Sequence, residues 1–277
     1  MKLYISADME GTAAVCSWTQ VDPADAAEYP YYRTLMSREV RAAIDGARAA
    51  GVSDVLVNDS HASMRNISWD ELPADVRMIY GNRKPFSMSE GIDDTFSAAF
   101  FTGYHAAAGE RDGTLDHTYT SQTLYRTRVN GKACSEAMLN AAVLGTYGVP
   151  VVLITGDTTI VEQTKTEMPW ITGVAVKQSI GRYAVNSISP AAARAAIAAG
   201  ARTAIERIAE AKPYRFEPPI TLELEFVSTQ NADFVELIPG FERAGGRTVR
   251  YSHDDYRVIF RAYHAAFRLG GAANAHV

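Results

Sequence analysis

Short apolar runs that alternate with stretches of helical period constrain this chain more than any other feature. The run KLYIS starts at Lys2, and in residues 37–50 Val40, Ala43, Ile44 and Ala47 fall on one helical stripe. Gly51 stops that helix, and SDVLVNDSH follows with a β-rich run that ends in a turn. Strand, helix and strand in this order predict a right-handed βαβ unit with parallel strands. AAFFTGYHA supplies a third apolar run, residues 135–148 a helix with a serine cap, and VPVVLITGD a further buried strand. The expected fold is α/β, an open, mostly parallel sheet with flanking helices. Polar residues gather after each strand, at the edge where such sheets bind their ligands.

The rest of the chain is less regular. Residues 21–32, with Pro23 and Pro30, read as a polar loop. TLYRTRVNGKAC carries Asn130-Gly131, the strongest short hairpin signal, between β-rich flanks. Ser189-Pro190 is a cap and first-turn pair for an alanine-rich helix that could extend to Ala211. AKPYRFEPP then reads as a boundary, dividing residues 1–212 from a smaller α+β portion of residues 213–277. In that portion ITLELEF alternates as a half-exposed strand, TVRYSHDD reads as a last strand, and residues 256–269 form an amphipathic helix.

The 277 residues are 47% hydrophobic and 21% charged, a globular composition, with length for one large domain or a domain and a smaller companion. A net charge of −5 without any basic run argues against a nucleic-acid partner. The first residues are neither a signal peptide nor a membrane span, so no membrane partner is expected. Cys16 and Cys134 form no CxxC pair, which argues against a disulfide framework or a cysteine zinc site. The expected compartment is the reducing cytoplasm. Cys134, two residues before Glu136, reads as a small half-buried residue rather than a nucleophile.

The first strand ends in SADMEG, whose Asp8 and Glu10 share a face if the segment is extended. They then repel unless a positive charge stands beside them. In a parallel sheet, His61 after VLVNDS and His105 after FFTGY lie on the same edge, and Glu136 begins a nearby helix. Two histidines and three carboxylates suffice for a binuclear site with one bridging carboxylate, and nitrogen and oxygen ligands suit Zn²⁺, Mn²⁺ or Co²⁺. Each residue also has a plainer role. A strand-end histidine serves as a hydrogen-bonded loop residue, Glu136 as a partner of the helix dipole, Asp59 as a turn residue. No local signature such as HExxH is present, so spacing alone leaves both readings open.

Several segments taken together resemble the M55 metallopeptidases, a D-aminopeptidase family. KLYISADMEG is similar to that family's opening strand and S-x-D-x-E-G signature, VNDSHA to its N-D-x-H segment, and GYHA to its second histidine segment. DHTYTS and SEAMLNAAVLGTYGVPVVLITGD continue the likeness in order, over about residues 1–160. The resemblance implies a two-zinc aminopeptidase acting on short peptides, with Mn²⁺ or Co²⁺ as alternative metals. Asp8 would bridge the metals, with Glu10 and His61 at one and His105 and Glu136 at the other. His117 would be the catalytic residue beside them. Two such metals would activate water, polarise the scissile carbonyl and hold a free α-amine. D-configured substrates and a ring-shaped homo-oligomer, a decamer among the expected sizes, with active sites on an enclosed channel, are implied by the family alone.

Ser135, where the family pattern has glycine, and GDTT in place of G-D-D depart from the likeness, and both segments are expected to border the pocket. His253, His264 and His276 read as structural or surface residues, His264 as a satisfied core histidine. Two rival functions use the same residues. A two-metal phosphoesterase would need a clamp of Arg or Lys, and none is evident near the candidate ligands. A non-catalytic binding protein with a metal clip would not need His117.

Overall fold

The computed structural model describes residues 1–276, with side chains as far as residue 274. The chain runs β1 (Lys2–Ala7), α1 (Trp18–Val21), α2 (Tyr29–Ala49), β2 (Asp54–Asp59), β3 (Arg77–Ile79) and β4 (Ala98–Tyr104). A hairpin of β5 (Leu124–Val129) and β6 (Lys132–Ala133) leads into α3 (Glu136–Thr146), β7 (Val151–Asp157), α4 (Thr158–Glu167), β8 (Thr172–Gly181) and β9 (Ala184–Ser187). Then come α5 (Pro190–Glu206), β10 (Ile220–Phe226), α6 (Thr229–Glu236), β11 (Glu242–Arg243), β12 (Thr248–His253) and α7 (Tyr256–Ala272).

The expected α/β sheet is present. Seven strands pair in the order β3-β2-β1-β4-β7-β8-β9, parallel except where β9 returns against β8. Five more form an antiparallel sheet, β11-β12-β10-β5-β6. Side chains of a strand alternate between faces, and this sorts the core into two. Leu3, Ile5 and Phe100 pack with Val40 and Ile44 of α2 and Ile197 of α5. Tyr4, Phe101 and Ile154 pack with Leu139 of α3, Leu222 and Leu224 of β10 and Phe260 of α7. Each such buried side chain contributes about 1.5–3 kcal/mol. The second sheet therefore lies over the face of the main sheet opposite α2 and α5.

Two expectations change. The loop expected over residues 21–32 is partly helical: α1 ends at Val21 and α2 starts at Tyr29, eight residues before the apolar stripe suggests. Pro30 sits in the first turn of α2, where the missing N–H costs no helical hydrogen bond. The alanine-rich helix stops at Glu206 and tightens into a single turn at Ile208–Glu210, short of Ala211. The Asn130-Gly131 hairpin forms as expected, with both residues at positive φ (51° and 79°), but β5 pairs with β10 in the second sheet. Residues 158–187 hold three further elements, α4, β8 and β9. The β-branched start of α4, Thr158 to Val161, is a poor helix former, and Asp157 decides the matter by capping the Ile160 N–H at 2.9 Å.

Candidate metal centre

The chain passes from β1 outward to β2 and β3, then returns to place β4 on the other side of β1. Strand order reverses between β1 and β4, the crevice where open α/β sheets bind ligands. Strand ends are level there: Ala7 pairs with Asp59 on one side and Thr102 on the other. Asp8, His61 and His105 thus emerge within a residue or two of the same edge, as a parallel sheet predicts.

The shared direction of Asp8 and Glu10 has a different cause from the one expected. β1 ends at Ala7, so strand alternation does not extend to the pair. A turn closed by Thr12 N–H to the Met9 carbonyl (3.0 Å) folds them together, and Gly11 N–H donates to the Gly103 carbonyl at 2.8 Å. A Cβ on Gly11 would stand 1.9 Å from the Tyr104 oxygen, and one on Gly103, at φ 67°, 2.2 Å from the Asp8 oxygen. Only glycine permits this backbone approach. From beneath, the buried ammonium of Lys177 on β8 donates to the carbonyls of Glu10 (2.5 Å), Thr12 (2.9 Å) and Val15 (2.8 Å).

Each of three imidazoles is oriented by a backbone carbonyl. His61 Nε2 donates to the Val21 carbonyl at the end of α1 (2.7 Å), His105 Nδ1 to Ala106 (3.0 Å) and His117 Nδ1 to Leu115 (2.8 Å). The other nitrogen of each faces acids. His61 Nδ1 lies 3.3 Å from Asp8 Oδ1 and 3.0 Å from Glu10 Oε2. His105 Nε2 lies 3.4 Å from Asp8 Oδ2 and 3.2 Å from Glu136 Oε1. His117 Nε2 stands farther off, 3.9 Å from Glu10 Oε1 and 3.7 Å from Glu136 Oε1. Its ring stacks on His105 with centroids 3.9 Å apart and planes within 7°, and Trp18 meets it edge-on at 5.4 Å.

Three buried carboxylates this close need positive charge. With protons alone to balance them, burial and the charge of Glu10 push Asp8 up to about 8. Burial works against a charged His105, but Glu136 and Asp8 outweigh it and raise the ring to about 10. Burial and the neighbouring His105 pull His117 down. A divalent cation supplies the same compensation, and the donors fit one. Asp8 Oδ2 and Glu10 Oε2 are buried and accept no hydrogen bond among the described residues. Ligands held tetrahedrally at about 2.0–2.1 Å from zinc stand about 3.3 Å apart. The 3.0–3.4 Å separations around His61 and His105 match that spacing, whereas those of His117 are longer. All donors are nitrogen or oxygen, a set that suits zinc.

The cluster opens on a cavity of about 600 Å³ lined by His61, His117 and Glu136, with Trp18, Gln122 and Arg268 among its walls. That size suits a small-molecule or peptide ligand. All six residues singled out for the site in the sequence converge here. Ser135 and residues 156–159 do not line the cavity, contrary to expectation. Ser135 caps α3 at Met138 N–H (3.3 Å), and Asp157 accepts from Thr114 N–H (2.9 Å), anchoring the segment that leads to His117. Asp59 is a loop anchor that accepts from Asn66 and Ile67 N–H at 2.6 and 2.8 Å. Cys134 is fully rather than half buried, and burial pushes its thiol up to about 12, which removes it as a nucleophile.

His253 is exposed and accepts from Asp255 N–H (2.9 Å). His264 is a core residue, as expected, but not a satisfied one: its Nε2 has no partner among Tyr119, Phe260, Tyr263 and Phe267. The side chain of His276 lies outside the described residues. Sequence reasoning missed Lys177 and Arg268. Lys177 has a legible signal, the one charge inside the strand-like run TGVAVKQSI. Arg268 has none.

A parallel sheet whose switch point gathers three carboxylates and three imidazoles defines an α/β protein built around a candidate divalent-metal centre. The chain belongs to the M55 peptidase family, described as D-aminopeptidase, which it matches over residues 1–265. It is similar to a D-aminopeptidase of Bacillus subtilis strain 168, 36% identical over 265 residues that cover 95% of each chain. Its fold is similar to that of a solved structure, the Zn-dependent D-aminopeptidase DppA from Bacillus subtilis, described as a self-compartmentalizing protease. That match has a TM-score of 0.94 and 34% identity over 98% of each chain. Among the described residues, no helix is long and apolar enough to cross a membrane.

Proposed function

We propose that this chain is a zinc-dependent aminopeptidase that removes the N-terminal residue of short peptides, D-configured ones included. The observation that carries the assignment is Asp8, whose two oxygens face different histidines: Oδ1 faces His61 and Oδ2 faces His105. A carboxylate so placed is suited to bridge two ions. Glu10 and His61 complete one position, Glu136 and His105 the other. Two zinc ions held there supply Lewis acidity for the scissile carbonyl and lower the pKa of water towards neutrality.

The chain's own residues do the rest. The carbonyls of Val21 and Ala106 fix the tautomers of His61 and His105, so the nitrogens that face the acids are free to ligate. Asp8, Glu10 and Glu136 are nearly fully buried at the floor of the cavity, where the amino terminus of a peptide would reach them. His117 is held by Leu115 at Nδ1, which leaves Nε2 facing the cavity to hold or hand over a proton. A two-metal phosphoesterase and a non-catalytic binding protein are not favoured. The relatives are aminopeptidases, and a metal clip has no use for His117. A cytoplasmic site of action, consistent with two free cysteines, and a ring-shaped homo-oligomer with enclosed active sites belong to the same proposal.

The test is zinc content after reconstitution, with turnover of a panel of D- and L-dipeptides. About two zinc ions per chain are expected in wild type, none in Asp8→Ala, and both retained in His117→Ala with kcat down by about 10²–10⁴. Zinc lost from His117→Ala would make that residue a ligand. Dipeptides left intact by the zinc-loaded wild type, with a generic phosphate ester hydrolysed, would overturn the peptidase reading.

A further inference from the structure

Asn140 stands in the middle of α3 and is fully buried, although asparagine weakens a helix interior by competing for backbone groups. Both polar atoms of its side chain are engaged twice. Nδ2 donates to the Glu136 carbonyl one turn earlier (2.9 Å) and lies 3.3 Å from Met88 Sδ. Oδ1 accepts from the hydroxyls of Ser89 (2.9 Å) and Tyr119 (2.8 Å). The Glu136 carbonyl can only accept, so the amide has one satisfactory orientation. Asn140 is not among the residues that line the cavity, yet it bonds two that are, Met88 and Tyr119.

Tyr119 links this network to the acid cluster. Its N–H donates to Glu136 Oε1 at 2.6 Å, and the same oxygen faces His105 Nε2 at 3.2 Å. Tyr119 is held at φ 62°, in the left-handed region, which a residue with a Cβ keeps only where its surroundings impose it. Its ring packs on Phe260 and Tyr263, and two hydrogen bonds do the rest, the N–H on Glu136 and the hydroxyl on Asn140. Both acceptors belong to one face of α3, one turn apart. The tyrosine is thus clamped to the helix by its backbone and by the far end of its side chain. Without the hydroxyl anchor the N–H is free to leave Glu136, and the carboxylate loses the donor that fixes Oε1. Outer hydrogen bonds of this kind orient a ligating carboxylate.

We propose that Asn140 is a positioning residue for the metal centre: through the Tyr119 hydroxyl it keeps the Tyr119 N–H on Glu136 Oε1, and so orients the carboxylate of the position that Glu136 shares with His105. The inference rests on the two-zinc reading. Its test is zinc affinity, by competition with a chromogenic chelator, for wild type, Tyr119→Phe, Asn140→Leu and the double variant. Circular dichroism of each metal-free protein shows whether it is folded. Tyr119→Phe removes the hydroxyl and keeps the ring. It should bind one of the two zinc ions about tenfold more weakly, the lower end for loss of an outer-shell partner. The visible absorption of the Co²⁺-loaded variant, which follows ligand geometry, should shift as well. Asn140→Leu loses at least as much, and the double variant binds zinc no more weakly than Asn140→Leu alone, because both changes cut one link. Unchanged zinc affinity in Tyr119→Phe would overturn the inference, and decides it even if Asn140→Leu does not fold. Losses that add in the double variant would also overturn it, since Asn140 and the hydroxyl would then act separately. A wild type that holds no zinc removes the two-zinc reading itself, and the inference falls with it.

Discussion

At the scale of single residues, a histidine is defined by what holds its far nitrogen. His61, His105 and His117 each give one N–H to a carbonyl and turn the other nitrogen to acids. His264 has no such arrangement. Rings of Tyr119, Phe260, Tyr263 and Phe267 surround it, and burial, with the positive charge of Arg268, takes it from 6.5 down to about 3. Folding therefore favours the neutral ring. Its contribution is fully present above pH 6.5 and is lost as the pH falls towards 3. At pH 5 the loss is about 2 kcal/mol. His264→Leu should lose that much less stability than wild type between pH 7 and pH 5 in urea titrations. Equal losses would show that the buried ring is not what titrates. The sequence marks His264 as a core residue by its apolar neighbours, but it cannot show whether a partner reaches Nε2.

At the scale of elements, the centre depends on a turn rather than on the strand before it. Gly11 and Gly103 let the end of β1 approach β4, and Lys177 then ties the carbonyls of Glu10, Thr12 and Val15 together. Burial lowers the Lys177 ammonium to about 8, which three carbonyl acceptors and nearby Asp157 and Glu39 partly offset. Lys177→Met keeps the length of the side chain but leaves the carbonyls of Glu10 and Val15 without that donor, at about 1–3 kcal/mol each where water cannot enter, while the Thr12 carbonyl keeps the Val15 N–H. Glu10 then loses its fixed position, and zinc affinity should fall about 10–100-fold, as when an outer-shell partner of a ligand is removed. Competition with a chromogenic chelator measures this. Unchanged affinity would mean that the glycines hold the turn unaided. The apolar alternation of β8 points to a strand, yet nothing local says that its one charge reaches under a loop some 165 residues earlier.

At the scale of the whole molecule, β5 and β6 leave the run of parallel strands to join β10 and β12, and α7 brings Phe267 and Arg268 to the cavity. An exposed edge follows from the main sheet: β9 is its last strand, and beside it Ile180 and Tyr183 are 68% and 58% exposed. Unpaired edges and exposed apolar side chains favour association. Light scattering of the purified chain should give a mass many times 30.2 kDa. A monomer at micromolar concentration would remove the proposed ring.

Local chemistry in the sequence determined the strand–helix alternation, and with it the parallel sheet and the common edge where Asp8, His61 and His105 emerge, because side-chain periodicity and strand ends are short-range properties. Tertiary structure alone decided that Asp8 faces two histidines, that Lys177 braces the turn and that Arg268 enters the cavity. Those contacts join residues tens to hundreds of positions apart, and their geometry exists only once the sheet order and both packed faces are complete.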